Sequence, residues 1–303
     1  NGANAAIYSP HFFVFIAMKT FLFAALLCVS MVGLSLAQPT SFNVSVTGKG
    51  QPIILIPGYS CSGEVWNETV AHLKDRYECH VLTLPGYGGV APIQEPILQT
   101  VRDQIIQYIK NHNLKKPILM GHSLGAFMSL WVSSTDPALA SKIICVDGVP
   151  FISSMMNPNV KADSLRKSPM YNADMVAQNF VNLPNDTYEA NMAKSMLSQV
   201  SDTTRARQIA HWSALSDRKT LGYTIVEMST TDLRNDIASI EAPTLVLGSL
   251  YFNSEARTQQ ILNDQYKQLP HKKIAVAHTK HFIMYDDPAW FYRQIDGFLS
   301  ESN

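Results

Sequence analysis

Residues 115–131 read Lys-Lys-Pro-Ile-Leu-Met-Gly-His-Ser-Leu-Gly-Ala-Phe-Met-Ser-Leu-Trp and contain one serine in the pattern G-x-S-x-G: Gly121, Ser123, Gly125. Residues 117–120 before it form a short apolar run, and Leu124, Phe127, Met128 and Trp131 after it recur at helical spacing. A strand that turns abruptly into a helix strains its turn residue and leaves that side chain standing at the tip. Glycines two before and two after leave room for the crowding. The same pentapeptide arises in surface loops, where the serine only helps a turn. Its place between a buried strand and a buried helix favours Ser123 as a nucleophile. A serine hydroxyl attacks poorly until an imidazole takes its proton, so the rest of the chain has to supply a histidine and a group to orient it.

The elements that would position these groups alternate along the chain. Residues 41–47 alternate apolar and polar, with Phe42, Val44 and Val46 on one side, which predicts a strand with one wet face. Residues 52–57 are continuously apolar, as expected of a parallel strand covered on both faces. A helix over 64–76, a strand over 80–84 and a helix over 96–111 follow, then the serine turn with its strand and helix, and a strand over 142–147. Between residues 150 and 236 no strand is evident, only helical patterns such as 187–199 and 203–215. Alternation resumes with a strand over 243–248, a helix over 254–267, a strand over 273–277 and a helix over 288–299. This order predicts an α/β fold, a mostly parallel sheet flanked by helices, with an all-helical cap inserted over residues 151–236 between core segments 38–150 and 237–303. Seven of the twelve methionines fall in or beside that insertion (Met155, Met156, Met170, Met175, Met192, Met196, Met228). They are expected to pack the cap's own core, with an adaptable apolar pocket as the alternative.

The bulk composition narrows the partners. With 24 basic and 24 acidic residues in 303, the charge balance argues against nucleic acid or an anionic membrane surface as the main partner. Met18-Lys19-Thr20, the apolar run over 21–34 and Ser35-Leu36-Ala37 match a secretory signal cleaved after Ala37, with residues 1–17 upstream of it. The expected location is therefore secreted or periplasmic, with no stable membrane insertion after cleavage. The alternative is an uncleaved anchor, for which the uncharged run over 21–37 is at the short limit of a bilayer span. Cys28 leaves with the signal. Cys61, Cys79 and Cys145 remain, an odd number that allows at most one internal disulfide, and they read best as buried small hydrophobes. No Cys-x-x-Cys or His-x-x-x-His grouping suggests a metal.

Taken together, residues 41–300 resemble the α/β-hydrolase family with a helical cap, in the order oxyanion loop, elbow, cap and C-terminal histidine. The resemblance implies that the loop at Pro57-Gly58 offers the Tyr59 N–H, and that Leu124 N–H, just past the nucleophile, is the second oxyanion donor. It implies His281 as the base, because His281-Phe-Ile-Met-Tyr-Asp-Asp-Pro-Ala-Trp-Phe291 is similar to the family's ending. His278 is the local competitor, and His122 is expected to be structural. The acid departs from the family pattern. Where members usually carry Asp, in a segment like Gly-x-x-Asp, this chain has Gly248-Ser-Leu-Tyr251. Some members place the acid at the end of the strand before the cap, and Asp147 stands there; Glu255 is the other candidate.

A serine at the elbow implies acyl transfer. The expected function is hydrolysis of a small-molecule carboxylic ester or lactone, with Ser123, His281 and Asp147 as the triad and no metal or cofactor. Related acyl-transfer, carbon–carbon hydrolase or haloperoxidase-like activities use the same parts, and a non-catalytic ligand-binding protein is the rival of a different class.

Overall fold

The computed structural model describes Gly2 and residues 40–250 and 254–301. The expected signal over residues 18–37 and the position of Tyr251 lie outside these. The continuous apolar runs form the middle of a seven-stranded sheet: β1 (Asn43–Gly48), β2 (Gln51–Ile56), β3 (Tyr77–Thr83), β4 (Ile118–His122), β5 (Lys142–Val146), β6 (Thr244–Gly248) and β7 (Lys272–Val276). Its order is β1-β3-β2-β4-β5-β6-β7. β1 runs antiparallel to β3, and every other pair is parallel.

Successive strand residues serve opposite faces, so one apolar run feeds two cores. Ile54 and Ile56 pack on one side with Leu119, Ile143 and Val246. Ile53 and Leu55 pack on the other with Ile118, Met120, Ile144 and Leu245. On the first side lie α2 (Ile97–Asn111) and α3 (Leu124–Thr135), which bring Val101, Ile105, Phe127 and Leu130. The second is covered by α1 (Asn67–Leu73) and the C-terminal helix (Pro288–Ser300), with Leu73, Phe291 and Ile295. The edge strand β1 is wetter than its alternation suggests. Phe42 is buried beside it, Val44 is half-buried, and Val46 is 53% exposed, with nothing among the described residues covering that end of the sheet edge.

Between β5 and β6 the chain is helical: α4 (Ala162–Arg166), α5 (Ala173–Val181), α6 (Asn185–Met196), α7 (Thr203–Leu215) and α8 (Arg218–Thr230). The helix expected over 187–199 stops at Met196, and the one over 203–215 keeps its bounds. Side chains define the starts, with Asn172, Asp202 and Asp217 accepting from first-turn N–H groups of α5, α7 and α8. Glu227 on α8 reaches outside this layer. Its carboxylate accepts from the N–H groups of Ile97, Leu98 and Gln99 (3.1, 2.9 and 2.9 Å), capping α2, which lacks a side-chain cap of its own.

The methionine expectation needs correcting. Met156, Met170 and Met175 are exposed, Met155, Met192 and Met196 are half-buried, and of the seven only Met228 is fully buried. Met155 and Met228 line a cavity instead, the alternative raised above. Cys61, Cys79 and Cys145 are all buried free thiols, held apart on different strands and loops. The helices after β6 are α9 (Glu255–Gln265), α10 (Ile283–Asp286) and α11, the C-terminal helix named above. Among the described residues no helix is long and apolar enough to cross a membrane.

Candidate active site

β4 ends at His122, and α3 begins at Leu124. The whole reversal therefore falls on Ser123, whose φ of 54° and ψ of −114° lie where a side-chain-bearing residue is strained. The turn is closed so tightly that a Cβ on Gly121 would sit 2.0 Å from the backbone of Gly125. Ser123 N–H donates to the Val146 carbonyl at 2.8 Å, tying the turn to the end of β5.

The next residue of that neighbouring strand is Asp147, itself at φ 48°, with its N–H donating to Leu247 on β6 at 2.7 Å. Because His122 pairs with Val146 in register, Ser123 and Asp147 leave adjacent strands at the same level. His281, in the loop between β7 and α10, meets Asp147: its Nδ1 lies 2.5 Å from Asp147 Oδ2. Ser249, directly after β6, adds two more donors. Its N–H reaches Oδ1 at 2.6 Å, and its hydroxyl reaches Oδ2 at 2.7 Å. Burial alone would raise this carboxyl. The His281 hydrogen bond and charge, followed by the two Ser249 donations, overcome burial and hold it below its ordinary value.

His122 is buried beneath this group. Its Nε2 lies 3.1 Å from the His281 carbonyl oxygen and so donates to it, and its ring packs against those of His281 and Phe282 at 4.6 and 4.5 Å. Burial first, and the charge of His281 second, push its pKa down to about 3, so the ring is neutral and its role is support. The other two candidates meet one another instead. His278 Nε2 and Glu255 Oε2 form an exposed pair at 3.0 Å.

Ser123, Asp147 and His281 line one cavity of about 320 Å³. Tyr59 and Phe127 line it from the sheet side, and Ile152, Met155, Ile225 and Met228 line it from the helical layer. The loop over Gly58 passes against the elbow, since a Cβ there would lie 3.4 Å from Ser123 Cβ. Among the described residues neither the Tyr59 N–H nor the Leu124 N–H has a hydrogen-bond partner. No group of three His, Cys, Asp or Glu side chains among the described residues is placed to hold a metal ion.

A sequence model of the alpha/beta hydrolase family matches residues 53–294. The chain belongs to the alpha/beta hydrolase family. Among its relatives is a pimeloyl-[acyl-carrier protein] methyl ester esterase of Vibrio cholerae, 26% identical over 203 residues, covering 67% of this chain and 76% of that protein. The Vibrio atlanticus protein of the same name is 24% identical over 84% of this chain and 94% of its own length. In structure, the chain shares its fold with an esterase from Exiguobacterium antarcticum (TM-score 0.71, 14% identity, 86% of this chain and 96% of that one). An enol-lactonase from Burkholderia xenovorans has the same fold (TM-score 0.67, 13% identity, 86% and 97%).

Within this alpha/beta hydrolase, sequence reasoning missed Ser249. A lone serine after a strand carries no pattern, and its partner is 102 positions away. The one available signal was that it occupies the segment where the family's acid is usually found. Also missed was the seam between the helical layer and the histidine loop. Phe282 N–H donates to Gln199 O (3.1 Å), Lys280 Nζ to Leu197 O (2.6 Å), and Ser201 N–H and hydroxyl to the Asp286 carboxylate (2.8 and 3.1 Å).

Proposed function

We propose that this alpha/beta hydrolase cleaves a carboxylic ester or lactone through an acyl-enzyme formed on Ser123. The observation that carries the reading is the 2.5 Å contact between His281 Nδ1 and Asp147, made at the wall of the cavity that Ser123 also lines. With Nδ1 occupied as a donor, Nε2 is the nitrogen left to take the Ser123 proton. The Ser123 oxygen then adds to the ester carbonyl, and the carbonyl oxygen becomes negative. Tyr59 N–H and Leu124 N–H are the two donors for that charge. Losing one such donor typically costs about 3–4 kcal/mol of barrier. The imidazolium passes its proton to the departing alkoxide, and a water activated by the same ring releases the acid. Asp147, held ionised, stabilises the charged ring while both steps run.

Ester-cleaving names among the relatives support this reaction class. Export through a signal ending at Ala37 is part of the proposal and rests on the residue pattern alone. The test is hydrolysis of p-nitrophenyl butanoate and hexanoate by the wild type and by Ser123→Ala, with mass spectrometry of the quenched wild type for an acylated Ser123 peptide. Ser123-dependent turnover and the acyl adduct are expected. Equal rates in wild type and variant would remove Ser123 from the mechanism, and an inert wild type that still binds acyl ligands would make the cavity a binding site.

A further inference from the structure

The cavity is polar at one unused point. Apart from Asp147 and His281, none of the lining side chains among the described residues is ionisable except the Tyr59 phenol, and that hydroxyl is committed to the Leu221 carbonyl at 2.7 Å. Phe127, Val149, Ile152, Ile225 and Met228 present hydrocarbon. Gln199 remains. Its carboxamide has no hydrogen bond among the described residues, although it could make four.

Its backbone, by contrast, is fixed. α6 ends at Met196, and Gln199 N–H closes the turn onto the Met196 carbonyl at 2.8 Å. The Gln199 carbonyl accepts from Phe282 N–H, the residue immediately after His281, and Lys280 and Ser201 pin the same turn on either side. A glutamine whose backbone is tied to the histidine loop, and whose carboxamide is uncommitted among the described residues at a cavity wall, is placed to meet something that enters the cavity.

Resting on the esterase reading above, we propose that Gln199 is the specificity-determining residue of this site. It selects a neutral hydrogen-bonding group on the leaving-group side of the ester, and the surrounding wall rejects ionised substrates. The side follows from the chemistry. His281 must hand its proton to the leaving oxygen, so the alcohol portion lies against the histidine loop to which Gln199 is bonded. Rejection of ions follows from the lining. A carboxylate carried into this cavity would meet no lysine or arginine among the described lining residues to offset its lost hydration.

Two substrate pairs test this in the full protein. 2-Hydroxyethyl hexanoate and n-propyl hexanoate differ by a hydroxyl in place of a methyl. The wild type is expected to favour the hydroxyl by about tenfold in kcat/KM, the worth of one neutral hydrogen bond. In Gln199→Leu, which keeps side-chain bulk and every backbone bond of the turn, that ratio should fall to about one. Methyl hexanoate should be hydrolysed at least about tenfold better than monomethyl adipate at neutral pH. An unchanged hydroxyl preference in Gln199→Leu overturns the assignment of Gln199, and equal rates for hexanoate and adipate overturn the neutral-substrate claim. Failure of both esters to show Ser123-dependent turnover instead overturns the esterase reading, and this inference with it.

Discussion

Ser249 holds Asp147 by both ends of its carboxylate, backbone N–H to Oδ1 at 2.6 Å and hydroxyl to Oδ2 at 2.7 Å. The segment after β6 is where the family's acid is expected, and here it carries the residue that secures Asp147, the acid proposed above, at the end of β5. The two arrangements deliver a carboxylate to one place. Strand β6 lies beside β5 in the sheet, so a carboxylate leaving either strand end can meet the loop of His281. Moving the acid requires a new donor for its second oxygen, since a carboxylate buried with one partner is costly. Ser249 meets that need.

Asp147→Asn is expected to lower kcat about 10³- to 10⁴-fold while leaving KM nearly unchanged, because the amide cannot stabilise the imidazolium and favours the wrong tautomer. Glu255→Gln should stay within about twofold, since its pair with His278 is exposed on both sides. Steady-state kinetics on a p-nitrophenyl ester decides between them. A larger loss for Glu255→Gln than for Asp147→Asn would reassign the acid.

Ser249→Ala removes one donor and leaves the backbone one. The expected loss in kcat/KM is about tenfold or more, as for a hydrogen bond to a charged group. Direction in pH is the sharper readout. The Ser249 hydroxyl favours the ionised carboxylate, so without it Asp147 becomes more basic and holds the imidazolium more strongly. The acid limb of kcat/KM should therefore move to higher pH. A rate loss with an unshifted limb would mean that Ser249 only packs.

The sheet was legible because buried parallel strands leave continuous apolar runs, and residues 52–57 could be little else. The elbow was legible because its strain demands glycine at 121 and 125. His281 needed the family's ending as well as its own residue type, since His278 stands three positions away. Asp147 was preferred over Glu255 only on its place at the end of the strand before the cap, because a strand-end aspartate before glycine is also a good turn residue. Only the fold shows its φ of 48° and its contact with His281. Gln199 was hidden inside an expected helix over 187–199. That helix ends at Met196, where Lys280 and Phe282 donate to the carbonyls of the turn that follows. Such long-range partners leave no local pattern.

Export makes a prediction of its own. Expressed from Met18 in a secreting host, the protein is expected in the soluble extracellular or periplasmic fraction with Gln38 as its first residue, measured by intact mass and N-terminal peptide mapping. Recovery in the membrane fraction with residues 18–37 retained would favour the anchor.

The neutral His122 couples stability to pH. Burial and the charge of His281 depress its folded pKa to about 3 from an ordinary value of 6.5. Between those values the unfolded chain binds a proton that the folded chain refuses. The stabilisation is therefore complete above pH 6.5 and is lost as pH falls through the window, by up to about 1.4 kcal/mol per pH unit for one proton. Asp147, also depressed, adds its own acid loss only at lower pH, below the ordinary carboxylate value. His122→Gln keeps a donor for the His281 carbonyl and cannot titrate. Urea unfolding at pH 7 and pH 4.5 should show a smaller drop in stability for this variant than for the wild type. A lower starting stability of the variant at pH 7 leaves the comparison of slopes intact. Parallel slopes in the two proteins would mean that His122 takes up its proton in the folded state, and that the ring beneath the site is not held neutral.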